Sequence, residues 1–415
     1  MASCSSYALL IFLCFHAMAA QVKRLGGQGL PLKQSEATTV AKTDIKTDKL
    51  QEVHSLQNEK LEEANWAKLN GEVQHSSQNE KLQEANWAKL NGEVHSTQDN
   101  LDFILREAET NRLNISVSPS GDADFKTIAE AINSIATPNT RRVVISIAPG
   151  LYREKLLIPS TLPFITFLGD TINKPKITGN AKASDIGSDG KPLKTYHTAT
   201  VAVDAAYFIA MNIIFENTAS PRKGSSNDQA VALRLSGTKC AVYNSEVYGF
   251  QDTLYDHQGL HYFKNCKIQG TVDFIFGNGK SLYEGCTLIS IAQNSGFVTA
   301  QKRDVLNDDT GFSILNSKVV GSGSVYLGRA WGNYSRVIFS YTYMDSLVLP
   351  EGWVDSMDNK DHHNLTVFYA EYKCSGPGSS FSRRPSWIRR LSDKDAQEFI
   401  GVQFIYGDTW LSPPL

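Results

Sequence analysis

Two aspartates in this 415-residue chain, Asp252 and Asp273, stand inside apolar or aromatic runs. Phe250, Leu254 and Tyr255 surround the first, and Val272, Phe274, Ile275 and Phe276 the second. An acid in such company costs free energy unless it is paired or put to use. The two are 21 residues apart. If that spacing is one turn of a repeating structure, the carboxyls lie about 4.8 Å apart, the distance between neighbouring strands. Like charges at that range resist joint ionisation, so one pKa rises while the other stays low. One acid can then attack as a carboxylate while the other donates a proton.

A repeat of that length is present. AMNIIF (210–215), VYNSEVYG (242–249), FKNCKIQG (263–270), YEGCTLIS (283–290) and ILNSKVVG (314–321) share one pattern, aligned on Asn212, Asn244, Asn265, Gly285 and Asn316 in steps of 32, 21, 20 and 31 residues. Irregular periods filled with short strands and polar turns suit a parallel β-solenoid, whose loops vary while its core stays constant. The aligned Asn residues would then stack as an amide ladder. A β-sandwich with recurring turn chemistry is the alternative.

Other groups gather around the acids. Gln229 heads the apolar strand QAVAL (229–233), and Gln251 lies between Phe250 and Asp252. Two amides converging on a developing oxyanion would stabilise it. LGRAW (327–331) places Arg329 near Trp331. A guanidinium holds a carboxylate ionised through a bidentate pair, and an indole face is a stacking platform for a sugar ring.

Other chemistries fit worse. The chain has no G-x-S-x-G elbow and no H-E-x-x-H, and none of its nine histidines sits in a metal-ligand motif. His197, His257 and His261 read as turn or surface residues. A formal charge of −2 leaves no nucleic-acid footprint.

Three parts are expected along the chain. Residues 1–20 read as a secretory signal peptide, with a short apolar core followed by small residues. No other run is a candidate bilayer span, which implies an extracellular protein with no membrane partner once the signal is removed. Residues 21–111 are polar and carry a near-identical duplication, at 57–73 and 78–94, read as a solvated, weakly helical linker. Residues 112–415 form the catalytic domain, with order beginning near Ile115. Residues 121–135 lead into a helix that caps the open end of the solenoid, with Phe125, Ile128, Ala131, Ile132 and Ile135 on one face. Glu154 reads as structural. Residues 382–411 are partly helical, with Ser392 and Asp395 resembling a capping box. Arg383, Arg384, Arg389 and Arg390 read as a solvated basic face. Cys240, Cys266, Cys286 and Cys374 are too few for a disulfide scaffold, and sequons at Asn114, Asn333 and Asn364 accord with secretion.

GLYREK (150–155), QAVAL, GFQDTL (249–254), GTVDFIFG (270–277) and LGRAW, five motifs in order, resemble the plant pectinesterases (pectin methylesterases) from about residue 115 to 411. The resemblance implies an all-β, right-handed parallel β-helix with a short N-terminal capping helix and a C-terminal helical segment. It implies hydrolysis of galacturonate methyl esters in pectin, with methanol released and no metal or organic cofactor. Asp273 matches the nucleophile that forms an acyl-enzyme, and Asp252 the general acid and then base. Gln229 and Gln251 match the oxyanion amides, and Arg329 the residue orienting the nucleophile. Thr195 (with Tyr196, where relatives often have Phe), Phe250, Trp331 and Trp353 match substrate contacts. Pectin is the implied partner, with a proteinaceous pectinesterase inhibitor as a further one. The chain is expected as a monomer in the plant cell wall. The alternatives are another pectin-active β-helix enzyme, glycosidase or lyase, and an inactive pectin-binding homologue.

The chain also departs from the family pattern. Ser245 stands where many relatives carry a cysteine paired with that at Cys266, which implies that this disulfide is absent. Ala330 replaces a common Pro, which implies a looser loop around Arg329. The extension at 21–111 lacks the cysteines of the inhibitor-like pro-region, so self-inhibition by such a domain is not expected.

Overall fold

The structure, a computed structural model, describes residues 101–222, 227–356 and 363–411. The signal-peptide reading and the duplicated segment lie outside them. The described chain winds into a right-handed parallel β-helix of 23 strands, and every strand-to-strand pairing in it is parallel.

Each coil contributes to three sheets. The first includes Val143–Ile147, Ile165–Gly169, Cys240–Tyr243, Gly311–Leu315 and Arg336–Ser340. The second includes Lys176–Gly179, Ile214–Asn217, Glu246–Tyr248 and Lys267–Gly270. The third includes Leu156–Ile158, Val201–Val203, Leu233–Leu235 and the early parts of the long strands Leu254–Lys264 and Ile275–Glu284. Inward side chains such as Val201, Leu233, Leu254 and Ile275 are fully buried in one continuous core. A side chain of that kind contributes about 1.5–3 kcal/mol when buried.

The repeat is explained by one corner. Asn212, Asn244, Asn265, Gly285 and Asn316 all turn from the first sheet into the second with left-handed backbone, φ 58°, 47°, 54°, 64° and 49°. Asn and Gly are the residues that enter this region at least cost. The row therefore shares a backbone conformation rather than the amide-to-amide ladder expected. Tyr341 and Lys373 continue it at φ 50° and 48°. The residue after each corner points inward; after Asn212 it is the apolar Ile213, and after the later corners its hydroxyl or thiol donates to a carbonyl two residues back, as in Ser245 to Tyr243 (2.8 Å), Ser317 to Leu315 (2.8 Å) and Thr342 to Ser340 (3.1 Å). Cys266 and Cys286 occupy the same rung and, like Cys240 and Cys374, are free thiols.

The N-terminal opening is closed by the helix Ile128–Asn133, with Ile128, Ala131 and Ile132 buried. Thr127 and Glu130 form its capping box, and Glu154 accepts the Ile128 and Ala129 N–H groups at 3.0 and 2.9 Å. Glu154 is thus a structural cap on another element's helix. A second helix, Phe103–Thr110, precedes the residue where order was expected to begin. It buries Leu105 and Ala108 on the outer face of the first sheet, alongside Phe399, Phe404 and Trp410. Glu109 on this helix pairs with buried Arg142 at 2.9 Å. Four of its eight residues are apolar, but Phe103 and Ile104 are exposed, so the stripe it uses is only Leu105 and Ala108. At the C-terminus Ser392 caps Asp393–Ala396, and short 3-10 turns follow.

Two expectations fail on burial. Arg384 is not part of a solvated basic face: its side chain is enclosed, donating to Glu371 at 2.7 Å and to the Leu349, Pro350 and Gly378 carbonyls. His261 is not a turn or surface residue either. It is 0% exposed, with Nδ1 2.5 Å from Asp256 and Nε2 2.7 Å from the Gly237 carbonyl, while Tyr283 donates to the second Asp256 oxygen. A register shift between Tyr255 and Gln258 changes the alternation there, so that Asp256, in step with Leu254, and His261, in step with Phe263, both face inward.

Candidate active site

Asp252 and Asp273 occupy equivalent places at the entry to the third sheet. Leu254 pairs with Ile275 and Tyr255 with Phe276, and each acid lies two residues before its strand's first pair. The Asp252 N–H donates to the Val272 carbonyl at 3.1 Å, so adjacent coils carry the two acids at strand spacing, about 4.8 Å. Both have left-handed backbone, φ 62° and 51°. Such geometry at a non-glycine residue costs on the order of 1 kcal/mol and gathers at functional sites. Asp tolerates it better than most residues.

Neither acid is open to water: Asp252 is 8% exposed and Asp273 4%. Arg329 clamps Asp273, with Nε to Oδ1 at 2.8 Å and Nη2 to Oδ2 at 2.5 Å. Its guanidinium also lies 4.4 Å from the Phe297 ring centre, and Phe297 stacks on Tyr326 at 5.1 Å. Burial pushes the Asp252 carboxyl well up, and the charge of Asp273 pushes it further, with Arg329 opposing. At Asp273 burial also raises the carboxyl, but the Arg329 hydrogen bonds and charge pull against it directly. These causes favour the proton on Asp252 and the negative charge on Asp273.

In the loop that carries Arg329, the buried Ala330 N–H donates to the Val354 carbonyl at 3.2 Å, a bond that a proline at this position could not make. Gln229 and Gln251 lie on successive coils, both half-buried, where the Ala230 N–H donates to the Gln251 carbonyl at 3.1 Å. Phe250 is half-buried beside Gln251, its carbonyl accepting from the Thr271 N–H at 2.9 Å. Thr195 opens the turn Thr195–His197 and is half-buried, its carbonyl taken by Thr198. Trp353 differs from expectation. It is 2% exposed, donates its indole N–H to Glu371 at 2.9 Å and stacks on Tyr369 at 4.5 Å. It supports the coil beneath Arg329 and offers no open face to a groove.

One aromatic surface was missed. The outward residues of the third sheet align across coils as Ala202, Arg234, Tyr255, Phe276 and Ala300. Tyr255 stacks on Phe276 at 4.2 Å, and Phe276 lies 6.0 Å from half-buried Trp331, over which Lys302 Nζ sits at 4.8 Å. Tyr255 and Phe276 are themselves 21 residues apart, the same step as the acids, and that was the available signal. Among the described residues no cluster of His, Cys, Asp and Glu could hold a metal ion, and no helix is long and apolar enough to cross a membrane.

The chain is thus a parallel β-helix carrying two stacked carboxyls, one of them clamped by arginine, beside an aromatic strip. The Pectinesterase family model matches residues 114–408, and the chain belongs to that family. Pectinesterase QRT1 of Arabidopsis thaliana is 43% identical over 303 residues, covering 72% of this chain and 78% of its own. Pectinesterase 1 of Olea europaea is 40% identical over 317 residues, covering 76% and 84%. The solved pectin methylesterase from carrot superposes with a TM-score of 0.65 at 34% identity, covering 72% of this chain and 95% of that one. A pectin methylesterase solved in complex with a hexasaccharide has a TM-score of 0.62 at 28% identity, covering 72% and 99%. The chain is a pectinesterase, a carboxylic ester hydrolase.

Proposed function

We propose that this enzyme hydrolyses methyl esters of galacturonate units in pectin by a two-aspartate acyl-enzyme route. The observation that carries the reading is the asymmetry of the pair: Asp273 is held by two Arg329 bonds, and Asp252 is buried without any such clamp. Asp273 attacks the ester carbonyl carbon, and the tetrahedral oxyanion is received by the Gln229 and Gln251 amides. The C–O bond to the methoxy group then breaks as Asp252 passes its proton to the leaving oxygen. Methanol departs, and an anhydride joins the substrate acyl group to Asp273. Asp252, now a carboxylate, takes a proton from water, which attacks the anhydride and frees Asp273 and the galacturonate. Phe250, Thr195 and Trp331, with Tyr255 and Phe276, line the polymer's path. No step calls for a metal or an organic cofactor.

We further propose that the protein is secreted and acts as a monomer on cell-wall pectin. The sequons at Asn114, Asn333 and Asn364 all lie at exposed positions. The test is methanol release from methyl-esterified polygalacturonate by the purified full chain, with reducing and unsaturated ends followed in parallel. Carboxyls about 5 Å apart also suit retaining glycoside hydrolysis. New chain ends without methanol would therefore assign the pair to glycosidase or lyase chemistry. Tight binding without turnover at any pH would identify an inactive homologue.

A further inference from the structure

We propose that Arg234 is a positioning residue, whose guanidinium holds the Tyr196 ring as the wall of the polymer groove on the N-terminal side of Asp252. This rests on the reading of the groove as a pectin site. Arg234 lies in the strand Leu233–Leu235 and faces outward, in register between Ala202 and Tyr255. It is 4% exposed, yet its polar partners are few. One guanidinium nitrogen lies 3.2 Å from Asp204, a second donates to Ser236 at 2.9 Å, and Nε has no partner. A buried guanidinium served so thinly is a poor stabiliser, and an aliphatic residue would fill the same floor at less cost.

What the guanidinium does have is an aromatic face. Its central carbon lies 3.7 Å from the centre of the Tyr196 ring. Tyr196 is the middle residue of the turn Thr195–His197, entered through Lys194 at φ 56°. Backbone bonds fix the ends of this turn: the Lys194 N–H donates to Ala183 at 3.0 Å, and Lys155 donates to the His197 carbonyl at 2.6 Å. The ring itself meets His197, His257 and Tyr255 only edge-on, with centres 5.1, 5.4 and 6.3 Å away. A planar cation stacked on one face is the contact that sets its tilt, and lysine, a point charge on a flexible stem, cannot reproduce it.

The register places this wall. Arg234 is one coil before Tyr255 and two before Phe276, so Tyr196 stands about 5 and 10 Å along the axis from the coils of the two acids. A polymer unit lying on Tyr196 is not the unit whose ester is cleaved. Its contact is the same in ground and transition states, and losing it raises KM more than it lowers kcat.

The experiment is a double-mutant cycle of R234K, Y196A and R234K/Y196A, assayed by methanol release from methyl-esterified polygalacturonate. R234K is expected to raise KM about fivefold, the size of one partly desolvated cation–π contact, with kcat changed much less. Y196A should raise KM at least as much, and the double variant should be no worse than Y196A alone. Multiplicative effects in the double variant, an unchanged KM in R234K, or a loss confined to kcat would each overturn the role. Should R234K fail to fold, Asp204→Asn releases the same guanidinium from its other side and must show the same KM signature coupled to Tyr196. A wild-type enzyme that releases no methanol would refute the functional reading; an active wild type without the coupling would refute the role of Arg234 alone.

Discussion

Replacing Arg329 by glutamine tests the electrostatic asymmetry of the site. The change removes two bonds to Asp273, at 2.8 and 2.5 Å, from a carboxyl that is 4% exposed. Hydrogen bonds to charged groups contribute about 1.5–3 kcal/mol each, but two bonds from one guanidinium are not additive, and the glutamine amide recovers part of one. A net loss of about 3 kcal/mol remains, worth about 100-fold in rate on the part of the profile where Asp273 must be ionised. With the clamp gone, burial acts on Asp273 unopposed, so its carboxyl titrates at higher pH and the acid limb of the kcat/KM profile moves upward. Arg329→Lys keeps the charge but loses the bidentate geometry, and should fall between glutamine and wild type. The assay is methanol release against pH for the three proteins. An acid limb that stays in place in Arg329→Gln, with the rate merely scaled down, would refute the claim that Arg329 keeps Asp273 ionised.

Three further outcomes follow from the geometry. Asp252→Asn removes the proton donor and later base, and should lower kcat by about 1000-fold while abolishing the alkaline limb, since that limb reports Asp252 losing a proton held well above the ordinary carboxyl range. His261 is raised from 6.5 to about 10 by its Asp256 partner against the pull of burial. Its contribution to stability is full below the unfolded value and is lost as pH rises through about 10; the urea midpoint should fall over that window in wild type and much less in His261→Asn. Asn265→Ala forces alanine to φ 54° at a repeat corner and should cost about 1 kcal/mol by urea denaturation, whereas Asn265→Gly should cost less.

The parts of the fold that could be read from sequence were those governed by local backbone rules. Asn212, Asn244, Asn265 and Asn316 recur because each coil must make the same left-handed corner, so their spacing reports coil length directly. That length then stacks Asp252 on Asp273. What escaped was decided by partners far along the chain. Arg384 looks like one of four surface arginines until Glu371 and three carbonyls enclose it. His261 becomes a core residue because the register shift after Tyr255 brings it to the same inward face as Asp256, and Tyr283, on the next coil, completes the triad. Trp353 carries the same motif as a groove aromatic, but Glu371 and Tyr369 claim its N–H and its face. Tyr255 and Phe276 share the period of the acids and went unread because aromatic residues in strands are usually packing.

The central claim is that Asp273 attacks the ester, with Asp252 above it holding the proton. Its most direct measurement is methanol release by Asp273→Asn, with near-ultraviolet circular dichroism verifying the native fold and hydroxylamine present to capture any acyl-enzyme. The account predicts neither methanol nor hydroxamate above the enzyme-free control with hydroxylamine, while wild type yields both above it. A folded Asp273→Asn protein that releases methanol as fast as wild type would contradict it.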